Sequence, residues 1–401
     1  MKQAPTGVTA PIGFQAAGIH CGIKKPGILD LALVVSDTSG PIAGVFTRNR
    51  VAAAPVLLDR RHLVNHQGRA VIVNSGNANA CTGTHGLKAA ATMARHVAKT
   101  LRVPVHEVFV GSTGVIGRVL PIERVTLALP TLFAQLSRRG GHRAAQAIMT
   151  TDLRPKEVAC SAKIGGRLVT IGGMAKGSGM IHPDMATMLA YLTTDAAIAP
   201  APLQRALRSA VDQSFNCITV DGDTSTNDTV LCLANGLAGN VDIMQNSEAY
   251  HRFERLLTEA CRILALAVCR DGEGVTKVVT VAVSGARTAQ AARQVARTIA
   301  TSNLVKTALF GEDANWGRVM GAIGRAGVPI DQRKVSLDFD RVPMVRKGMG
   351  VSLAAERRIA QVFKRKEFTI SVNLGQGRGS ARMWTTDLSY DYVRINASYR
   401  S

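Results

Sequence analysis

Apolar runs rich in β-branched residues recur at 31–36, 70–74, 107–111, 229–234, 277–284 and 368–374, and each predicts a strand. Elsewhere the apolar spacing lengthens to that of a helix. Over 85–101, Leu87, Ala90, Ala91, Ala94, Val97, Ala98 and Leu101 form one stripe. Over 247–268, Phe253, Leu256, Leu257, Ala260, Ile263, Leu264, Ala267 and Val268 form another, with Asn246 and Ser247 ahead of it as cap candidates. A third helix is predicted at about 287–300. Strands and helices mixed along the whole chain predict a layered α/β (or α+β) protein. A change of pattern after about residue 285 predicts a larger first domain, 1–285, and a smaller carboxy-terminal α/β domain, 286–401. No internal repeat or low-complexity linker interrupts them.

Composition narrows the class of protein. A chain of 401 residues, 46% hydrophobic and 19% charged, can bury a sizeable core. Aromatic residues are only 4%, so the core rests on Val, Ile, Leu, Ala and Met, and stacking platforms for single-stranded nucleic acid are scarce. The seven cysteines are scattered with no CxxC pair, which argues against a disulfide framework or a zinc ribbon and for a reduced, cytoplasmic setting. The first 14 residues lack a basic segment followed by an apolar run, so no signal peptide is expected. No run approaches the ~18 apolar residues of a membrane span.

Charge is the unusual feature, with 49 Lys+Arg against 28 Asp+Glu giving +21. Nucleic-acid binding, a field that draws in acidic small molecules, and an Arg-rich solvated surface all fit such a balance. The basic residues are dispersed, with modest clusters at Arg333-Lys334, Arg357-Arg358 and Lys364-Arg365-Lys366, and no nucleic-acid motif accompanies them. The solvated surface is the reading adopted.

The densest unusual segment is Gly172-Gly-Met-Ala-Lys-Gly-Ser-Gly-Met-Ile-His-Pro-Asp-Met-Ala-Thr-Met-Leu189. Its glycines permit close backbone approach, but it has no GKS/T, and Gly177-Ser-Gly179 lacks the third glycine of a dinucleotide fingerprint. Gly375-Gln-Gly-Arg-Gly379 leads into a strand-like stretch and reads as a tight turn. Taken alone, Thr187 is an ordinary strand residue.

The 172–189 segment closely resembles the cleavage motif of the ornithine acetyltransferases, also called glutamate N-acetyltransferases. Further signatures similar to that family are Thr9-Ala-Pro-x-Gly-Phe14, Asn74-Ser-Gly-Asn-Ala-Asn-Ala-Cys-Thr-Gly83, Gly111-Ser-Thr-Gly114 and Met149-Thr-Thr-Asp152. Ser214-Phe-Asn-x-Ile-Thr-Val-Asp-Gly-Asp-Thr-Ser-Thr-Asn-Asp228, Arg270-Asp-Gly-Glu-Gly274, Phe310-Gly-Glu-Asp-x-Asn-Trp-Gly-Arg318 and Asn396-Ala-x-Tyr399 continue the series in family order. Ala314 stands where the family typically has Pro, and the +21 charge is high for it.

The resemblance implies a sandwich similar to the amino-terminal-nucleophile hydrolases. It also implies self-cleavage between Ala186 and Thr187 into an α chain, 1–186, and a β chain, 187–401. The cut would free an α-amine on Thr187, whose ordinary pKa of roughly 7.7–8.0 suits a general base. Nucleophile and base then reside on one residue, so even His182, near the cut, reads as a bystander. By motif match the Thr113 hydroxyl and Gly114 N–H would form the oxyanion hole. Thr150, Lys176, Thr187, Glu273, Asn396 and the terminal Ser401 would contact substrate, with Glu273 pairing the ornithine ammonium.

The implied reaction is ping-pong transfer of acetyl from N-acetylornithine to glutamate in arginine biosynthesis, with acetyl-CoA as a possible second donor in some members. No metal, no cofactor, no nucleic acid and no membrane is implied, and the assembly expected is α2β2. Two rivals remain from the residues themselves: a self-processing aminopeptidase or amidase with water as acceptor, and a basic nucleic-acid-binding protein.

Overall fold

The computed structural model of the chain describes residues 6–182 and 188–398. Eight strands build the larger sheet: β1 (Phe14–Ile19), β2 (Leu31–Phe46), β3 (Gln67–Asn77), β4 (Val108–Val115), β5 (Lys156–Ile164), β6 (Arg167–Lys176), β7 (Leu189–Thr194) and β8 (Thr229–Ala234). Their order is β4-β3-β2-β8-β7-β6-β5, with β1 also on β2. The long β2 joins two halves. Its first part pairs with β1 and β3, its last residues pair with β8, and the register breaks between Val35 and Gly40.

Side-chain alternation folds these halves onto each other. Along β2, Leu31, Leu33 and Val35 point to one apolar cluster while Ala32 and Val34 point to another. The second cluster also takes Val71, Val73 and Phe109 from β3 and β4, and Leu189, Tyr191, Leu231 and Leu233 from β7 and β8. It is therefore the layer between two facing sheets. The outer face of the first half is covered by the helices Gly83–Leu101 and Ile122–Ala134, and that of the second half by Pro200–Asp212 and Glu248–Arg270. The architecture is a four-layer α/β sandwich, the class the sequence predicts. Strands buried on both faces explain why 70–74 and 229–234 read as unbroken apolar runs.

The smaller sheet has six strands: β9 (Val278–Ala286), β10 (Ser336–Phe339), β11 (Val342–Arg346), β12 (Met349–Gly350), β13 (Glu367–Asn373) and β14 (Gly379–Thr386), ordered β12-β11-β10-β13-β9-β14. Val281, Val295, Ile299, Ile359, Phe363 and Ile370 belong to its separate core. Strand β9 lies inside this sheet, between β13 and β14, so the sheet itself begins at Val278. The pattern change after 285 marks the end of β9, just before the helix Ala289–Ala300. The edge strand β14 docks on the larger unit, where Thr219 N–H donates to the Trp384 carbonyl.

Local chemistry sets the helix starts. Ser247 and Thr288 accept the N–H groups of Tyr250 and Ala291 and so cap the second and third predicted helices. The 375–379 turn joins β13 to β14. The basic clusters at 333–334, 357–358 and 364–366 are all exposed, and all lie on the smaller unit. Among the described residues no helix is long and apolar enough to cross a membrane.

Leu264, fully buried in the core beneath Glu248–Arg270, carries the first test. Leu264→Ala should destabilise the fold by about 2–5 kcal/mol, read as a lower urea midpoint with an unchanged slope.

Candidate active site

The carboxyl ends of β4 and β6 come together where the sandwich opens. Thr113 and Gly114 lie near the end of β4, and Lys176 is the last residue of β6. Gly114 has φ +130°, and a Cβ there would overlap the Gly76 backbone of β3, so glycine alone fits. The buried Lys176 ammonium donates to Thr113 Oγ1 at 3.3 Å. The hydroxyl accepts this bond and keeps its own hydrogen to donate.

Burial, with the nearby Lys156 charge, outweighs the acids around Lys176. Burial pushes its pKa down, while Asp152, Glu273 and Asp228 oppose that fall. Asp152 organises the site although the sequence suggests no role for it beyond its motif. Its carboxylate accepts from Lys156 Nζ at 2.6 Å, Gly177 N–H at 2.7 Å and Thr150 N–H at 2.9 Å. Burial alone would raise this carboxyl, but the Lys176 and Lys156 charges and the Gly177 N–H outweigh it and hold it near about 2. Lys156 Nζ also donates to Asp271 at 2.6 Å, and Asp271 accepts from the Leu153 and Arg154 N–H groups. Position 152 in Met149-Thr-Thr-Asp152 and position 271 in Arg270-Asp-Gly-Glu-Gly274 were the signals for this network.

Two residues past Asp271, the buried Glu273 donates its N–H to the Ser178 carbonyl at 2.9 Å. Its carboxylate lies against Gly179, where any Cβ would overlap it. Asn396, on the helix Tyr390–Ser398, donates to Glu273 Oε2 at 2.9 Å and so brings the chain's last helix to the site. Asp221 accepts from the Met180 and Ile181 N–H groups and from the Tyr392 hydroxyl, and burial raises its pKa.

Thr113, Gly114, Thr150, Lys176, Glu273 and Asn396 all line one pocket of about 220 Å3. The other three residues singled out from sequence, Ala186, Thr187 and Ser401, lie outside the described residues. His182 is engaged elsewhere. Its Nε2 accepts from Arg297 Nη2 at 2.6 Å, and its Nδ1 lies 3.2 Å from Thr219 Oγ1, which donates to the Ile181 carbonyl. That network assigns the proton to Nδ1 and spends the Nε2 lone pair on a cation. Among the described residues no group of three or more His, Cys, Asp or Glu is placed to hold a metal ion.

A small pocket holding a free hydroxyl hydrogen, a backbone donor, a buried ammonium and a buried carboxylate defines a group-transfer enzyme for small charged molecules. Residues 15–401 match the ArgJ family. The chain belongs to that family, the acyltransferases of arginine biosynthesis.

Among its relatives, the arginine biosynthesis bifunctional protein ArgJ of Symbiobacterium thermophilum is 51% identical over 100% of both chains. That of Geobacter sulfurreducens is 50% identical over 97% of this chain and 99% of its own. The crystal structure of the arginine biosynthesis bifunctional protein from Bacillus halodurans, 42% identical, matches 52% of this chain and 98% of its own with a TM-score of 0.50.

Asp152 links the site to stability. Its folded carboxyl titrates near 2 against an ordinary 3.8, so its contribution is full above about pH 4 and is lost as pH falls towards 2. Asp152→Asn should be less stable than wild type at pH 6. Between pH 5 and 2 it should lose less stability than wild type by on the order of 2 kcal/mol, measured by urea titration across that range.

Proposed function

We propose that the chain cuts itself between Ala186 and Thr187 and then transfers acetyl from N-acetylornithine to glutamate through an ester on Thr187. The observation that carries this reading is the convergence of Thr113, Gly114, Thr150, Lys176, Glu273 and Asn396 on one pocket from distant parts of the sequence. Family membership over residues 15–401 supports the acetyl-transfer class. The Bacillus halodurans chain supports the cut, since 52% of this chain accounts for 98% of it, the half-length expected of one product.

In the cut, Thr187 Oγ attacks the Ala186 carbonyl carbon, the C–N bond breaks, and the hydroxyl proton ends on the nitrogen. Water then hydrolyses the ester, leaving a carboxylate on Ala186 and a free hydroxyl and amine on Thr187. In transfer, the amine takes the hydroxyl proton as Oγ attacks the acetyl carbonyl of the donor. The Thr113 hydroxyl and Gly114 N–H stabilise the oxyanion, with the Lys176 ammonium on the far side of the Thr113 oxygen strengthening that hydroxyl as a donor.

Ornithine departs with the proton, and glutamate attacks the acetyl ester to complete a ping-pong cycle. Lys176 and Thr150 receive the α-carboxylate common to both amino acids. Glu273 reads the ornithine ammonium, and Asn396 and Ser401 close the tail over it. The same ester could be loaded from acetyl-CoA, in keeping with the word bifunctional in the relatives' names. The assembly proposed is α2β2, in the cytoplasm.

Thr187→Ala should remain one uncut chain on a denaturing gel where wild type runs as two fragments; a variant still split at 186–187 would overturn the cleavage reading. Wild type incubated with N-acetylornithine should form acetylglutamate when glutamate is present, and release of free acetate instead would make water the acceptor.

Glu273→Gln should stay cleaved but lose about ten- to a hundred-fold in kcat/KM for N-acetylornithine, the worth of a charge-assisted hydrogen bond of ~1.5–3 kcal/mol. Turnover of a small neutral acetyl ester should change much less. Equal losses on both substrates would show that Glu273 supports the fold or the nucleophile instead.

A further inference from the structure

Asp228 is a fully buried acid that the reaction just described does not use. It immediately precedes β8, as Met188 precedes β7, and the two strands run parallel with Leu189 opposite Thr229. This register sets the Asp228 carboxyl beside the first described residue after the cut. Asp228 Oδ1 accepts the Met188 N–H at 3.0 Å, a task that an amide oxygen would perform equally well. The second oxygen, Oδ2, is buried and makes no well-formed hydrogen bond among the described residues, although the Thr47 hydroxyl and the Ser225 backbone lie close enough to favour its charged form. A buried polar atom left in this way calls for a further role.

We propose that Asp228 is the positioning residue of the Thr187 nucleophile, its Oδ2 accepting an N–H of the Thr187 α-amine and turning the amine lone pair towards Thr187 Oγ. This rests on the reading of Thr187 as an amino-terminal nucleophile. Covalent geometry brings the partner within range: only Cα and the carbonyl carbon separate the Thr187 and Met188 nitrogens. The amine is thus tethered through two backbone atoms to the nitrogen that Asp228 Oδ1 already holds. The arrangement follows the general rule that a nucleophile's base is itself oriented by a third group.

The electrostatics agree. Burial holds the Asp228 carboxyl far above the ordinary carboxylate range, against the Met188 N–H, the Thr47 hydroxyl, the Lys176 charge and the Ser225 backbone. The Lys176 charge acts on Asp228, and Lys176 itself faces Asp152, Lys156 and Glu273. Before the cut no cation among the described residues hydrogen-bonds to its free oxygen, and burial favours the protonated form. The cut creates an amine there, and the two groups then share a proton. When the amine takes the hydroxyl proton in acyl transfer, the neighbouring carboxylate stabilises the ammonium formed.

The test is Asp228→Asn, which keeps the acceptor for Met188 N–H and removes the charge. Mass spectrometry should show the variant cut with Thr187 at an amino terminus, because the role begins after cleavage. Its kcat should fall roughly 10²-fold with KM for N-acetylornithine unchanged. The rising limb of its kcat/KM profile should move down by about one pH unit, since the amine loses a neighbouring carboxylate.

A cut variant with a wild-type profile and kcat overturns the positioning role while leaving the nucleophile reading intact. A folded but uncut variant also overturns it, whereas an uncut wild type overturns both. If the amide variant does not fold, wild type labelled with ¹⁵N-threonine supplies the measurement. Its amine signal should titrate in two coupled steps, and a single step at about 7.7–8.0 would overturn the proposal.

Discussion

Two carboxylates gripping one ammonium out of contact with water hold the site in shape. Lys156 lies between Asp152 and Asp271, and each carboxylate also fastens backbone N–H groups: Thr150 and Gly177 on one side, Leu153 and Arg154 on the other. Three segments distant in sequence are thereby fixed to one another: the loop at 150–154, the end of β6 and the turn carrying Glu273. Isolated buried charges are costly, and a buried pair is stable only when its remaining hydrogen bonds are met. Here those bonds are met by the backbone of the pocket wall itself. Loss of any member would leave its partners charged and unsatisfied while loosening the pocket wall.

The sandwich gives this lock something rigid to act on. Strands buried on both faces cannot slide by one residue without sending every inward side chain outward. The ends of β4 and β6 are therefore placed by the cores on either side of them. Thr113 and Lys176 meet because two facing sheets are held in register by Val71, Val73, Phe109, Tyr191 and Leu231, none of which touches the pocket. Smaller in scale, the contact of β14 with the 218–220 segment ties the second unit to the wall carrying Asp221.

Much of this was legible in the chain, though unevenly. The helices 85–101 and 247–268 show plain stripes, and Gly83–Leu101 and Glu248–Arg270 follow them closely because one face packs on a sheet and the other meets solvent. Strand β6 was not predicted: Gly172 and Gly173 interrupt its side-chain pattern, and its strand character comes from pairing with β5 and β7. Of the other unpredicted strands, β1, β5 and β12 lie at edges, β7 adjoins the motif that drew attention for its chemistry, and β10 and β11 are short interior strands of only four and five residues. Motif order singled out Thr113, Gly114, Thr150, Lys176, Glu273 and Asn396, which line one pocket, whereas spacing alone would have passed over each of them. Asp152, Asp271 and Asp228 escaped notice because a lone acid in a motif does not reveal whether it will be buried, paired or left with a free oxygen.

The last helix, Tyr390–Ser398, has no buried residue. It is held by polar links, among them Ser389 to the Gly274 carbonyl, Tyr392 to Asp221 and Asn396 to Glu273, with one ring contact between Phe310 and Tyr390. Water can replace such bonds almost in kind, so little free energy resists detachment. The body of the pocket is anchored by apolar cores, while this helix is fastened to it mainly by exchangeable polar bonds. Weakening those bonds would therefore free the helix from the pocket wall without disturbing the sheets beneath.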